Sequence, residues 1–370
     1  LFAATYSWQQ PHAGIAANGD LYWQPEPFVL STNDAVLRYI DFESGDDGND
    51  GASPATAWQH HPWDADATAQ SAAAAAGIYT YVFKRGVVYR NMLTGKAVGA
   101  PNNPIRLTSD PNWGVGEAAF HASVLLTNGW TYGAHTLMPS TVGVYYTDLT
   151  FAPRRVWFID GTNIVRLALA RTPNWTESYI HDVKSEWWTW QSTRSTNIGG
   201  TAYYVCRDSV HLTQPIEYYT GSYVWTEYFP VMGTPYPQTI VGFDASRREL
   251  FFQSIWGDMQ LPAQHNRYFL EDNPRYLDSP GEFWFDKSGA GGRLYIRLPG
   301  NQNPNGLRIE AARNMGIIDN NGMGHVEISG LTFRFNNAYW NLAARYFADK
   351  NVVNAAIRVL GYGTNIVIKN

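Results

Sequence analysis

The sequence has one cysteine, few charged residues and no long apolar run. Cys206 cannot form an internal disulfide, and its strand-like context, "YYVC", predicts a small buried side chain. Charged residues make up 16% of the 370 positions, and no basic stripe interrupts a net charge of −5. No segment approaches the ~20 apolar residues that a membrane-spanning helix needs. The composition therefore argues against a disulfide scaffold, nucleic-acid binding and a transmembrane segment.

Helical periodicity is also scarce. The best helix candidate runs from Asp64 to Ala76, where Asp64 is a potential N-cap and Gly77 follows an alanine-rich run. Elsewhere, short runs of β-branched and aromatic residues are separated by Gly, Asn, Asp and Pro. This pattern predicts an all-β chain. The predicted strands include "GIYTYVFKRG", "NPIRLTSD", "AAFHASVLLTNG", "TVGVYYTDLTF", "RVWFIDG", "GRLYIRLPG" and "NGLRIEAARN".

An acidic loop within "YIDFESGDDGNDGASPATAW" (39–58) raises the question of a metal site. Asp46, Asp47 and Asp50 do not have the alternating spacing of an EF-hand loop, and the chain has no CxxC or HExxH motif. The three residues are therefore predicted to form turns and caps. A structural Ca²⁺ site is the alternative, and no organic cofactor and no metal ligand at the active site are expected.

An internal repeat gives the strongest indication of architecture. Positions 143–151 read "GVYYTDLTF", positions 325–333 read "HVEISGLTF", and a shorter copy, "TNIVIKN", spans 364–370. In each copy, short alternating strands meet a small polar corner, as in one coil of a solenoid. The first two copies are therefore predicted to be neighbouring rungs of one solenoid. A β-sandwich with a coincidental similarity is the alternative.

Residues 152–300 do not follow the coil pattern and predict an inserted, β-rich, sandwich-like module. Within it, Lys287 to Gly292 has the composition of a hairpin turn. The remaining predicted parts are an N-terminal extension at 1–38, first coils at 39–151 with a short capping helix near 64–76, and resumed coils at 301–370.

Stretches along the chain resemble one family in the same order. "GDDGNDGASPATAW" is similar to a first-coil loop, and "VWFIDGTNIVRLALARTPNW" (156–175) to a strand pair of an inserted module. "LDSPGEFWFDKSGAGGRLYIRLPG" (277–300) resembles the exit of that module, and "HVEISGLTFRFNN" the coil where the helix resumes. The family is the right-handed parallel β-helix glycoside hydrolases of the α-fucosidase, xylanase and β-xylosidase type.

The resemblance implies a right-handed parallel β-helix solenoid, interrupted by the insert, that acts on a plant or algal glycan. In that family the helix continues for many coils after the insert and carries catalytic carboxylates there. Two interpretations follow. Either the coils at 301–370 are incomplete and the catalytic coils lie beyond Asn370 in further polypeptide, or the protein is a shortened relative of the family.

Glycoside cleavage ordinarily uses two carboxyl groups, about 5–5.5 Å apart for retention and about 6.5–9.5 Å apart for inversion. Acids on rungs stacked about 4.8 Å apart would reach these separations. Asp349 is one candidate, because Arg345 lies close in sequence and would keep it ionised. Glu327, which alternates outward, and Asp148, at the corner equivalent to Gly330, are the others. Each also fits a surface or turn role.

Aromatic residues make up 15% of the chain, and exposed rings suit the flat C–H faces of sugars. A tryptophan-rich segment with neighbouring acids is the best sugar-contact candidate of the insert, with packing as the alternative. The predicted substrate contacts are Trp187, Trp188, Trp190, Asp182, Glu186, Arg345 and Asn336.

The sequence thus favours a secreted or cell-surface glycoside hydrolase that binds a polysaccharide or oligosaccharide, with fucan- or xylan-like polymers as substrates. Two alternatives stay open. One is a polysaccharide lyase on an anionic glycan, since residues 338–370 carry net positive charge. The other is a non-catalytic carbohydrate-binding or adhesion protein on the same scaffold.

Overall fold

The computed structural model describes residues 13–23, 30, 36–74, 79–175, 184–228, 235–253, 261–337, 355–359 and 363–369. The protein is 46% strand and 6% helix, which confirms the all-β prediction. Within the described residues, none of the helices has the length and apolar character needed to cross a membrane.

The strands are short and follow one another closely along the chain. They are β1 (Ala13–Ile15), β2 (Leu21–Trp23), β3 (Leu37–Ile40), β4 (Thr80–Arg85), β5 (Val88–Tyr89), β6 (Leu93–Gly95), β7 (Ile105–Gly114), β8 (Ala119–His121), β9 (Ser123–Leu126), β10 (Thr131–Tyr132), β11 (Val144–Leu149), β12 (Val156–Asp160), β13 (Asn163–Leu169), β14 (Arg171–Thr172), β15 (Trp188–Thr189), β16 (Ser192–Ile198), β17 (Thr201–Arg207), β18 (Tyr223–Glu227), β19 (Pro235–Asp244), β20 (Glu249–Gln253), β21 (Arg267–Glu271), β22 (Glu282–Ser288), β23 (Gly291–Arg297), β24 (Arg308–Ala312), β25 (Ile318–Asn320), β26 (Val326–Ser329), β27 (Thr332–Arg334), β28 (Ile357–Arg358) and β29 (Ile366–Lys369). The helical elements are α1 (Ala69–Ala73) and 3₁₀ turns at Pro54–Thr56, Ile216–Tyr218, Pro274–Tyr276 and Pro299–Asn301.

Helix α1 lies inside the predicted range but begins later. Its N-cap residue is Thr68. Asp64 does not cap it, because the Asp64 carboxylate accepts hydrogen bonds from the backbone of Asp66 at 2.9 Å and from Asn91 at 3.1 Å. These bonds close a separate turn before the helix. The last part of the predicted helix lies outside the described residues.

The chain divides into two compact units. The first contains the described parts of Leu1–Ala122, Gly316–Arg334 and Ala355–Asn370. The second contains the described parts of Ser123–Met315 and Phe335–Asn354.

The first unit contains three sheets in which every strand pairing is parallel. Their strand orders are β29-β26-β7-β4-β3, β28-β25-β6 and β27-β8-β5. Strands β6, β7 and β8 belong to the second, the first and the third of these sheets, in that order. Strands β25, β26 and β27 belong to the same three sheets in the same order. In one row, Ile105, Val326 and Ile366 lie side by side. Val326 is fully buried in the core of this unit.

The acidic loop of the first unit is built by its aspartates. Asp46 and Asp50 each accept a hydrogen bond from the backbone N–H two residues later, at 2.8 and 2.9 Å. Asp47 is buried and accepts backbone bonds from His60 and Thr68 at 2.8 and 3.0 Å. Burial opposes ionisation of Asp47, but these bonds outweigh it and lower its pKa. The predicted turn-and-cap role is confirmed.

The second unit contains two large sheets. One has the order β10-β11-β23-β22-β13-β12-β24-β9, and the other has the order β14-β21-β18-β19-β20-β17-β16, with β15 also on β21. One buried cluster combines Trp284 and Tyr295 of the first of these sheets with Trp190 and Tyr268 of the second. A separate cluster, which includes Phe283, covers the opposite face of the first sheet. Each strand thus alternates between two environments.

Two local predictions for this unit are confirmed. Strands β22 and β23 form an antiparallel hairpin, in which Ser288 pairs with Gly291 and Gly289 takes a positive φ of 64° in the turn. Cys206 is fully buried in strand β17, within the core of the unit, and burial raises its pKa.

The predicted stacking of the first two repeat copies is wrong. Strand β11, which holds residues 144–149, pairs antiparallel with β23, whereas β26 pairs in parallel with β7 and β29. Asp148 therefore lies within a strand opposite Arg293, not at a corner equivalent to Gly330. The shorter copy does stack on the second, because Val326 pairs with Ile366. Alternation specifies which side chains face inward, but it does not specify the partner strand.

Candidate functional site

The three predicted sugar-contact tryptophans do not form one cluster. Trp190 is fully buried and stacks on Tyr268, with ring centroids 3.5 Å apart. Trp188 packs against the same core cluster. Trp187 contacts Phe269 edge-on instead, at a centroid distance of 4.5 Å. Trp190 and Trp188 are therefore packing residues, and Trp187 belongs to a different environment.

The other predicted substrate contacts do not join Trp187 in the described part of the chain. Asp182 and Arg345 lie outside the described residues, as does the predicted catalytic residue Asp349. Glu186 is exposed. The side chain of Asn336 donates a hydrogen bond to a backbone carbonyl at 3.3 Å.

The two described catalytic candidates lie in different units. Glu327, in the first unit, has its carboxylate 3.1 Å from the ammonium of Lys369. Asp148, in the second unit, accepts two hydrogen bonds from Arg293, at 2.7 and 3.2 Å. The bonds from Arg293 lower the pKa of Asp148. Each carboxylate faces a cation, which suits a base or nucleophile better than a proton donor.

Another group of side chains converges on one face of the second unit. In strand β21, Tyr268 and Leu270 face the core, so Phe269 and Glu271 point to the opposite side. Strand β14 places Arg171 opposite Glu271. The group, called the Arg171 site, consists of Arg171, Trp175, Trp187, Trp225, Phe269, Glu271 and Glu282.

Aromatic rings surround the guanidinium of Arg171. Its central carbon lies 3.7 Å from the ring centroid of Phe269, and 5.6 and 5.8 Å from those of Trp175 and Trp187. Trp225 stacks on the same phenylalanine, nearly parallel, at 5.9 Å. Arg171 is only 6% exposed, whereas Trp175 is 42% exposed. The cation thus lies against π faces, and Trp175 gives the site a solvent-facing edge.

The charge of Arg171 is incompletely compensated. Its Nε donates to the carbonyl of Pro173 at 3.0 Å, and no described carboxylate forms an ion pair with it. Burial lowers the pKa of Arg171 to about 10, although the nearby Glu271 and Glu282 partly offset this effect. The guanidinium therefore remains protonated at neutral pH.

Both carboxyl groups of the site have raised pKa values. Glu282 is buried and accepts backbone hydrogen bonds from Ser279 at 3.2 Å and Arg171 at 3.4 Å. Burial, followed by the nearby Asp278, raises the pKa of Glu282 to about 8. Burial also raises the pKa of Glu271, against the opposing effect of the indole N–H of Trp225. Glu282 is thus mainly protonated at neutral pH.

The sequence patterns do not predict Arg171, Glu271 or Glu282 as site residues. A partial signal exists in "RYFLE" (267–271), where aromatic and charged residues alternate with core residues. That alternation indicates a polar face but not its neighbours. The pairing of β14 with β21 joins segments far apart in sequence, and it alone brings Arg171 to Glu271.

A second polar surface, called the Arg293 row, crosses three adjacent strands of the same unit. In the strand register, Arg293 lies opposite Asp148 of one neighbouring strand and opposite Asp286 of the other. Its guanidinium lies 4.3 Å from the ring centroid of Tyr146. The row borders a shallow cavity of ≈ 450 Å³. The two acids are two strand spacings apart, roughly 9.6 Å. Arg293 lies between them, and its hydrogen bonds lower the pKa of Asp148, which makes Asp148 a poor proton donor.

The described residues contain no group of three or more His, Cys, Asp or Glu side chains that could hold a metal ion. The side chains of the Arg171 site offer stacking on tryptophan rings, hydrogen bonds from a guanidinium, and a proton-bearing carboxyl group at Glu282.

No family model and no curated protein matches this sequence. A solved structure described as "Glycoside hydrolase" is similar over 82% of this chain and 51% of its own, with 12% identity and a TM-score of 0.56. Another, "The complex structure of XylC with xylose", is similar over 82% of this chain and 36% of its own, with 12% identity and a TM-score of 0.38. The chain thus spans about half or less of these proteins. The first likeness shows a shared fold.

Proposed function

We propose that this chain is part of a glycan-active protein and that its reaction is the hydrolysis of a plant or algal polysaccharide. The observation that carries the proposal is the Arg171 site, where a half-exposed tryptophan adjoins a guanidinium and two carboxyl groups. A sugar ring offers apolar C–H faces to indole rings and hydroxyl groups to charged side chains. The fold shared with a glycoside hydrolase supports the same role.

We interpret the three parallel sheets of the first unit as coils of a right-handed parallel β-helix. The recurrence of the order β6-β7-β8 in β25-β26-β27 supports this interpretation. The copy at 143–151 no longer supports it, because that segment pairs elsewhere. In this proposal the second unit binds the glycan, and a catalytic carboxylate lies on the parallel sheets.

Glu327 is the described residue that best fits the catalytic carboxylate. Its carboxylate lies 3.1 Å from the ammonium of Lys369, and an adjacent cation suits a nucleophile or general base. Asp349 remains the predicted second carboxylate within residues 1–370. Asp148 is no longer proposed as catalytic, because it accepts two hydrogen bonds from Arg293 within the Arg293 row. We place the protein outside the cell, where such polymers occur.

The reaction is tested by incubating the protein with fucan, xylan and pectin and analysing the products. Plain reducing ends support hydrolysis, whereas unsaturated sugars indicate a lyase, and binding without release indicates a recognition protein. Glu327→Gln is expected to lower hydrolysis by about 100-fold or more. Glu117→Gln is the control, because Glu117 forms an exposed ion pair with Arg334 in the same unit. Equal activity of both variants would remove Glu327 from catalysis.

The binding surface is tested separately with two neighbouring tryptophans. Trp187→Ala removes a ring of the Arg171 site, and Trp188→Ala removes a ring that packs against the core. The first change is expected to weaken glycan binding several-fold, in line with about 0.5–1.5 kcal/mol for an aromatic contact. The second should leave binding intact in calorimetric titrations. Similar losses in both variants would argue against the Arg171 site.

A further inference from the structure

Arg171 has hydrogen-bonding capacity that the described residues do not use. A guanidinium has five N–H donors. The Nε–H of Arg171 bonds to Pro173, but no described residue accepts a hydrogen bond from its two terminal nitrogens. These terminal nitrogens remain available to a ligand with acceptor oxygens.

A second unpaired donor lies beside the first. The indole nitrogen of Trp187 is buried and has no hydrogen-bond partner, and its ring lies 5.8 Å from the guanidinium carbon of Arg171. The side-chain oxygen of Asn174, at the turn that follows Arg171, is also buried without a partner. The site thus combines unused donors with one unused acceptor.

The charges around these donors favour an anion. Glu282 mainly carries a proton at neutral pH, and the pKa of Glu271 is raised. Glu282 therefore does not cancel the positive charge of Arg171, and no described carboxylate forms an ion pair with the guanidinium. A carboxylate or sulfate matches a guanidinium through paired, charge-assisted hydrogen bonds.

Building on the glycan role proposed above, we propose that the Arg171 site recognises an anionic substituent on a sugar, either a uronate carboxylate or a sulfate ester. Its oxygens accept hydrogen bonds from Arg171 and Trp187. The sugar ring stacks on Trp175, which is the exposed aromatic edge of the site. Asn174 accepts a hydrogen bond from a hydroxyl group.

The test measures affinity for two matched pairs of oligosaccharides by calorimetry. One pair is a sulfated fucan oligosaccharide and its desulfated form, and the other is an oligogalacturonide and its methyl ester. The wild-type protein is expected to bind the charged member of one pair about tenfold more tightly than the neutral member. The pair that shows this preference identifies the substituent as sulfate or carboxylate.

Three variants separate recognition from folding. Arg171→Gln should abolish the preference for the charged member, so that the charged and neutral members bind with equal affinity. Arg293→Gln is the matched control, because Arg293 already pairs with Asp148, and it should preserve the preference. Trp187→Phe keeps an aromatic ring against Phe269 but removes the indole N–H, so it should reduce the preference several-fold even if Arg171→Gln does not fold.

The outcomes distinguish this inference from the function on which it rests. Equal wild-type affinity for charged and neutral oligosaccharides would overturn the inference and leave the glycan role standing. A preference that survives both Arg171→Gln and Trp187→Phe would also overturn it. Failure to bind any of the four oligosaccharides, together with no binding or cleavage of xylan, would overturn both proposals.

Discussion

Arg171 and Arg293 occupy the same unit, and each lies over an aromatic ring with two acidic residues nearby. Arg171 is buried, lies 3.7 Å from the ring centroid of Phe269, and has a lowered pKa. Arg293 is more accessible, lies 4.3 Å from that of Tyr146, and its pKa is raised by hydrogen bonds to Asp148. Similar neighbouring residues therefore accompany a lowered arginine pKa in one place and a raised arginine pKa in the other.

The difference lies in burial and in the distribution of protons. In the Arg293 row, Arg293 is solvent-accessible and bonds to Asp148, which lowers the pKa of that carboxyl group. In the Arg171 site, burial raises the pKa values of Glu271 and Glu282, and no carboxylate of the described residues forms an ion pair with the guanidinium. The accessible Arg293 thus forms an ion pair with Asp148. The buried Arg171 is, in our proposal, available to an anionic ligand.

The largest effect is expected from the titration of Glu282. Its folded pKa of about 8 exceeds its ordinary value of 4.5, so the folded state retains a proton that the unfolded state has released. The resulting stabilisation is complete below about pH 4.5 and is lost as pH rises through about 8. The free energy of unfolding should fall by up to ~1.4 kcal/mol per pH unit within this window.

Urea unfolding of the wild-type protein and Glu282→Gln across this pH range measures the effect. The variant should lose this component of the pH dependence. Asp148→Asn is the control, because a lowered pKa has the opposite sign and affects stability only when pH falls into the acidic range. Parallel curves for wild type and Glu282→Gln would show that Glu282 titrates normally.

A smaller effect is expected when the arginines are truncated. Arg171→Ala removes a desolvated cation–π contact and should lower the free energy of unfolding by about 2 kcal/mol. Arg293→Ala removes a solvent-accessible ion pair and should change the urea midpoint little. A larger loss for Arg293→Ala than for Arg171→Ala would reverse the comparison.

The smallest expected effect is the dependence of thermal stability on ionic strength. Asp148→Asn breaks the bidentate pair with Arg293, and any destabilisation should disappear at high ionic strength, because exposed charges are screened. Thermal melts at low and high salt, with Asp286→Asn as the neighbouring variant, measure this. A salt-independent loss would mean that the row is shielded from solvent.

Much of the local structure follows from sequence patterns. The alternation in "GRLYIRLPG" predicts β23, the turn composition predicts its hairpin with β22, and the setting of Cys206 predicts its burial. The candidate site is less predictable. Trp187 is identified from composition, but Trp188 and Trp190 have the same composition and lie in the core.

The repeat copies show where local pattern stops being informative. "GVYYTDLTF" and "HVEISGLTF" share their alternation, yet one pairs antiparallel and the other in parallel. In the first copy, Asp148 lies opposite Arg293, which is a favourable cross-strand pair. The alternation does not include that partner, and so it cannot select between the two sheets.

The sequence by itself determined that the chain is made of strands, where its turns fall and which side chains alternate inward, because these properties depend on neighbouring residues. The tertiary structure alone decided that Arg171 meets Glu271, Glu282 and Trp187. The reason is physical. Strand pairing joins distant segments, and burial created by that pairing sets which of the acids keep their protons.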